Sequence, residues 1–221
     1  MSYEWRFDVV WESLPFLLEG LWVTVLIVVA CMGISLILGL LLALARISSH
    51  AWLRLISAAY IDFFRGVPLL VLVFWAFFTV PIATGQPLPA IPTGIIAMSI
   101  NLTAFVAEIY RAGIQSVTLG QRHAALSLGM TQSQALQRVI LPQAVRHVVP
   151  PVASAWVSLF KDTALLSVII VPELMYQARI LAVQTYRPLE IYTVIALVYF
   201  VITWPQARFA DWIYERMRVR D

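Results

Sequence analysis

Six charged or amide side chains fall inside stretches that are otherwise largely apolar, Asp62, Arg65, Asn101, Glu108, Lys161 and Asp162, and all but Asp62 are candidates to border a path. An ionisable group within a membrane-crossing segment costs roughly 2.5–3.5 kcal/mol on insertion scales, so such groups are expected to line a polar path or to hold one another. Glu108 and Arg111 stand three apart, where a charge pair can fix a helix end. Arg65 has Gly66 and Pro68 beside it, where a helix can open and present carbonyls and a cation to an anionic solute. Pairing of Arg65 with Asp62 or Glu108 across a kink is the structural alternative. Lys161 and Asp162 project about 100° apart, so they do not read as one salt bridge; one is expected to face a path and the other a partner helix. Asn101 can serve the path or hydrogen-bond across helices. Nucleophilic catalysis is disfavoured, because His50, His123 and His147 all fall in predicted loops and leave no base within the apolar stretches. Asp62 and Asp162 lack the glycine-flanked setting expected of an aspartyl dyad.

The elements that position these groups follow from composition. Hydrophobic residues make up 61% of the 221 and charged residues 12%, with a mean hydropathy of +0.85, which is a membrane protein rather than a soluble domain. A net charge of +3 is too small and too spread to indicate nucleic-acid binding. Cys31 is the single cysteine, so neither a disulfide framework nor a cysteine metal site can form within one chain. Crossing a bilayer takes about 20 apolar residues as helix. Five windows meet that requirement, at about Leu21–Leu44, Ile56–Val80, Thr93–Tyr110, Val148–Ile170 and Ile191–Trp204. The first is preceded by acidic residues rather than a basic segment, so it is expected to remain in the mature chain.

Arginine collects after the first, third and last windows, at Arg46, Arg54, Arg111, Arg122, Arg138, Arg146, Arg208, Arg216, Arg218 and Arg220. The positive-inside rule then places the N-terminus outside and the C-terminus in the cytoplasm. The segment "GQRHAALSLGMTQSQALQRVILPQA" between the third and fourth windows is therefore cytoplasmic. In it Ala124, Ala125 and Leu128 share a helical face, Gly129 can supply a left-handed stop, and Thr131 with Gln134 has capping-box spacing. Two short helices are predicted, the second ending before Pro142. A DNA-binding helix-turn-helix has a similar outline, but both ends here are tied to spans and no base-reading cluster is present. Small alanines instead allow another backbone close approach, which favours docking into a cytoplasmic partner over a loop lying on lipid.

"GQRHAALSLGM" followed by "VILPQA" resembles the cytoplasmic loop of binding-protein-dependent ABC transporter permeases, with Ala124, Ala125, Gly129, Ile140, Leu141 and Pro142 matching that family's signature in type. His123 stands where the family has Glu, which affects the ion pair that Glu would make with an ATPase but not the Ala and Gly docking surface. "FFRGVPLLV", "AEIYRAGIQSV" and "FKDTALLSVI" resemble the corresponding stretches of the polar amino acid branch, in the family's order, so the resemblance covers nearly the whole chain. It implies an all-α membrane protein of about five transmembrane helices, like a type I importer permease, forming a single transmembrane domain over 1–221 with a coupling loop at about 113–147. It further implies a bacterial inner-membrane location, a second permease subunit, a dimer of ATP-binding subunits and a periplasmic solute-binding protein. The coupling contact would run through His123, Ala124, Ala125 and Gly129. No cofactor is expected in this chain, and ATP and Mg would be bound by the ATPase partner. The residues agree, since no phosphate-cradling Gly-x-x-x-x-Gly-Lys-Ser/Thr loop is present. "SLPFLLEGLWVTV" is similar to the entry of the first span in glutamate/aspartate permeases, which favours an acidic solute. Glu108 and Asp162 keep a basic solute open, and a non-transport assembly subunit is the remaining alternative.

Overall fold

The computed structural model describes residues 3–117 and 119–217, leaving aside the side chains of Leu119 and Arg122. Arg218 and Arg220, used above for orientation, lie outside the described residues, as does the side chain of Arg122. All regular structure among the described residues is helical. Among the described residues, four helical segments are long and apolar enough to cross a membrane: Leu14–Arg46, Ala90–Gln115, Gln132–Ile169 and Pro188–Met217. A fifth crossing is available if the broken pair Ala51–Gly66 and Leu69–Thr84 counts as one. All five windows are thus accounted for, the second as two pieces.

In chain order the helices are α1 (Asp8–Glu12), α2 (Leu14–Arg46), α3 (Ala51–Gly66), α4 (Leu69–Phe74), α5 (Val80–Thr84), α6 (Ala90–Gln115), α7 (Leu119–Ser127), α8 (Gln132–Ala135), α9 (Leu141–Asp162), α10 (Leu174–Thr185) and α11 (Pro188–Met217). The widened π turns Trp75–Thr79 and Leu136–Ile140 join α4 to α5 and α8 to α9, and a 3₁₀ stretch, Thr163–Ile169, continues α9. The break between α3 and α4 has a local cause. Pro68 cannot donate a backbone hydrogen bond and disfavours helix in the residue before it. Val67 accordingly adopts an extended conformation (φ −92°, ψ 130°).

The chain divides into two compact units. The first comprises 3–33, Pro68–Ser99 and Trp156–Gln206. Its core packs Val10 and Leu17 against Leu174, Ala178, Ile191 and Ile195. Thr24 Oγ1 donates to the Gly20 carbonyl (3.1 Å) and accepts from the backbone N–H of Leu174 (3.2 Å), tying α2 to the start of α10. The N-terminal strap is held by Glu190, which accepts from Tyr3 Oη (2.6 Å) and from the Arg6 backbone N–H (3.1 Å).

The second unit comprises Ile34–Val67, Ile100–Ala155 and 207–217. Ala43, Ile61 and Ala107 form its centre, with Tyr60 and Tyr110 packed around them. Two glycines of this unit permit close helix approach. A Cβ at Gly39 would lie 2.7 Å from Val106 Cγ1, and one at Gly113 would overlap Val148 Cγ2 and sit 3.3 Å from the Ala144 carbonyl oxygen. Gly113 therefore lets α6 and α9 meet nearly backbone to backbone.

Two expectations for the loop region are corrected. The second short helix does not stop before Pro142; it runs through the π turn into α9, which also contains Pro150 and Pro151. A proline ring collides with the carbonyl four residues back, here that of Arg138, and the wider π turn at Leu136–Ile140 relieves that collision. His147 consequently lies within α9 and within a candidate span rather than in a loop.

Candidate functional site

The second unit holds a cavity of about 400 Å³ whose wall includes Arg65 from α3, Phe105, Glu108 and Ser116 from the α6 region, and His147 and Pro151 from α9. Arg65 is exposed in the last turn of α3, and its Cζ lies 5.6 Å from the centroid of the Phe105 ring. Among the described residues no ion pair includes Arg65, so neither Asp62 nor Glu108 neutralises it by direct contact. Glu108 is held by Arg111 on the same helix: Nε donates to Oε2 at 2.8 Å and Nη2 donates to Oε1. Both oxygens of that carboxylate are engaged. The cavity therefore shows one neutralised pair and one cation set against an aromatic face.

Asn101 lies on α6 and its Nδ2 donates to the Phe64 carbonyl at 2.7 Å. In an unbroken helix that carbonyl would receive the N–H of residue 68, which is a proline. Asn101 thus closes the hydrogen-bond account of the α3–α4 break, as expected for helix termini in an apolar medium.

His147 near Ser116 raises the question of a nucleophile and base, since the apolar segments do contain a histidine. The single hydroxyl proton of Ser116 is donated to the Gly113 carbonyl (2.8 Å), so it is not directed to an imidazole.

Lys161 and Asp162 close α9 in the first unit, Lys161 exposed and Asp162 half-buried. Neither takes part in an ion pair among the described residues. The following residue, Thr163, donates through Oγ1 to the Phe160 carbonyl (2.7 Å) and starts the 3₁₀ stretch.

The loop of the second unit forms as its capping residues dictate. Gly129 has φ +80°, Gly129 N–H bonds the Leu126 carbonyl (3.0 Å) and Met130 N–H bonds the Ala125 carbonyl (3.2 Å). That pair of bonds is a Schellman motif ending α7. Gln134 N–H bonds Thr131 Oγ1 (3.2 Å) while Gln134 Oε1 accepts from Thr131 N–H (2.9 Å), a complete capping box opening α8. The shared face expected of Ala124, Ala125 and Leu128 divides: Ala125 is 3% exposed, Leu128 is 80% exposed, and His123 and Ala124 lie open with it. Ala125 packs inward to support the loop, and the other three present its surface.

Glu173 went unnoticed in the sequence. It is fully buried at the N-cap of α10, accepting from the N–H groups of Met175 (2.9 Å) and Tyr176 (2.6 Å) and from Tyr199 Oη (3.4 Å). Burial pushes its carboxyl up to about 7, against the pull of the two backbone donors. Glutamate is outside the usual N-cap set of Ser, Thr, Asp, Asn and Gly, so Glu173 after Pro172 and ahead of "LMYQARILA" carries little signal in the sequence.

Comparison with known proteins agrees with this architecture. Residues 35–219 match the family described as binding-protein-dependent transport system inner membrane component. A probable glutamine ABC transporter permease of Bacillus subtilis is 35% identical over 210 residues, covering 95% of this chain and 97% of that protein. A glutamate/aspartate import permease of Escherichia coli O6:H1 is 35% identical over 208 residues, covering 91% and 93%. Among solved structures, a chain of an amino acid ABC transporter crystallised with histidines superposes with a TM-score of 0.91 at 36% identity, covering 97% of this chain and all of that one. A methionine ABC transporter chain, at 19% identity and a TM-score of 0.74, shares the fold. The helical layout, the capped loop between the third and fourth spans and these matches lead to one conclusion: the chain belongs to the family of inner membrane components of binding-protein-dependent transport systems.

Proposed function

We propose that this chain is the permease subunit of an ATP-driven importer of polar amino acids, with an acidic amino acid favoured. The observation that carries the amino-acid class is Arg65, which among the described residues has no carboxylate partner and lies on the wall of a cavity of about 400 Å³, where it suits the carboxylate that every amino acid bears; the acidic preference rests on the entry of the first span, which is similar to that of glutamate/aspartate permeases. The names of the relatives, glutamine and glutamate/aspartate permeases, support the same class. A basic side chain would need a free carboxylate. Of the two acids considered for it, Glu108 is committed to Arg111, and Asp162 stays available for that reading.

In this proposal the whole chain acts as one permease domain, paired with a second permease subunit around a central path in the bacterial inner membrane. Its N-terminus is periplasmic and its C-terminus cytoplasmic. His123, Ala124 and Leu128 meet an ATP-binding subunit dimer, with Ala125 and Gly129 holding the loop in shape. ATP and Mg bind to that partner, and a periplasmic binding protein delivers the solute. Nucleic acid has no part in the reading. Arg65, Asn101, Glu108, Lys161 and Asp162 border the path, Asn101 by keeping the α3–α4 break in place.

The test is uptake by the full transporter in liposomes loaded with ATP and Mg, using labelled glutamate, aspartate, glutamine, histidine and arginine. Accumulation of glutamate or aspartate, reduced in Arg65→Gln, is the expected result. Uptake of arginine or histidine alone would replace the acidic reading with the basic one.

A further inference from the structure

The wall of the cavity opposite Arg65 in chemical character is a stretch of helix that contains two consecutive prolines, Pro150 and Pro151. In an α-helix each carbonyl receives the N–H four residues on, so Pro151 leaves the His147 carbonyl without its usual donor and Pro150 does the same for Arg146. The two positions differ in outlook. Pro150 is buried, whereas Pro151 is exposed and lines the cavity together with His147. A helical carbonyl points along the axis towards the residue four ahead. The His147 carbonyl released by Pro151 therefore belongs to a helical turn whose residues at both ends, His147 and Pro151, line the cavity.

The approach of this helix is itself built in. Gly113 on α6 faces Ala144 and Val148 with no room for a side chain, which brings the turn carrying His147 against the α6 face that carries Glu108 and Ser116. The cavity thus combines a guanidinium with a freed backbone acceptor, and its one carboxylate is already neutralised by Arg111. Freed carbonyls in an apolar medium have a strong demand for a donor, and an ammonium meets it better than a neutral group.

We infer that the cavity recognises the amino acid zwitterion, Arg65 taking the carboxylate and the His147 carbonyl released by Pro151 taking the ammonium group. This rests on the amino-acid reading above and adds to it how the main-chain end is held. Side-chain identity is then left to other residues.

The informative variant is Pro151→Ala, which returns an N–H to the helix and satisfies the His147 carbonyl internally without removing any charged group. Pro150→Ala performs the same repair for the Arg146 carbonyl and serves as the control. Binding is measured on the purified complex of permease and ATPase subunits, without the binding protein, for L-glutamate, L-glutamine and L-histidine and for the des-amino counterpart of each. Pro151→Ala is expected to weaken binding of the amino acid bound by the wild type about tenfold, the loss of one charge-assisted hydrogen bond, with its des-amino counterpart unaffected. Pro150→Ala is expected to change neither. Pro151→Gly gives the same repair with no added side chain and guards against a packing effect of alanine. Arg65→Gln is expected to erase the preference for a carboxylate over the corresponding primary amide. An unchanged ratio of amino to des-amino affinity in both Pro151 variants, with melting temperatures at or above wild type, overturns the ammonium assignment. A retained carboxylate preference in Arg65→Gln overturns the other half. Failure of the wild-type complex to bind any of the three amino acids would reject the amino-acid reading itself, and the zwitterion site with it.

Discussion

Asn101 stands in for a backbone donor that Pro68 lacks, and this makes its contribution separable from any role along a path. Replacing it by leucine leaves the Phe64 carbonyl without its 2.7 Å partner, at a cost of about 1–3 kcal/mol for an unsatisfied buried acceptor. Asn101→Leu should therefore lower the melting temperature of the detergent-purified protein. An Asn101→Leu variant that melts with the wild type would refute the capping role. A second residue with a measurable signature is Glu173, outside the candidate spans. Its folded-state carboxyl titrates near 7 against an ordinary value of 4.5, so the folded protein holds that proton more tightly than the unfolded chain does. The stabilisation is complete below the ordinary value and is lost as pH rises through about 7. A melting temperature that declines from pH 5 to about pH 8, with the decline flattened in Glu173→Gln, is the expected result. At this scale the sequence was partly legible. The Glu108–Arg111 spacing alone announced the pair, because three residues apart on a helix is a local distance. Arg65 resting on Phe105, and Glu173 reaching Tyr199, depend on contacts between helices distant in the chain, which spacing does not encode.

The elements show where local rules suffice and where they do not. The capped junction between α7 and α8 was readable residue by residue, since a Schellman stop and a capping box are closed by neighbours within five positions. Gly129 is the most exacting of them. A Cβ there meets no atom within 4 Å, so any effect of substitution comes from its φ of +80° rather than from crowding. A non-glycine residue in that conformation costs about 1–2 kcal/mol, more for a branched side chain and less for asparagine. Gly129→Val is expected to insert and assemble but to lose most solute-stimulated ATP hydrolysis, with Gly129→Asn retaining most of it. Normal hydrolysis by an assembled Gly129→Val transporter would remove the coupling role of this loop. The end of the following helix was misread for an equally physical reason. Proline stops a regular α-helix, but a π turn upstream gives its ring room, and nothing in the types of Leu136–Ile140 marks that turn.

For the whole molecule, hydropathy was a sufficient guide to the number of crossings, because length and apolarity are additive along a chain. It gave no sign that the polar residues within the apolar segments fall into two sets, Arg65, Asn101 and Glu108 in one compact unit and Lys161 and Asp162 in the other. That division follows from where each helix leaves one core and enters the next, as α9 does between Ala155 and Trp156. The π turn ahead of α9 has a consequence on this larger scale. The exposed apolar residues Leu136, Leu141 and Val145 are spaced five and then four apart, so the stripe steps by one surplus residue, about 100° of rotation, as it leaves the loop. The segment behaves as a shaft with one slipped tooth. The direction in which the loop faces a partner and the direction in which His147 and Pro151 face the cavity are set by that angular offset, not by the side chains at either end. Either surface can therefore change its residues without turning the other away from its target.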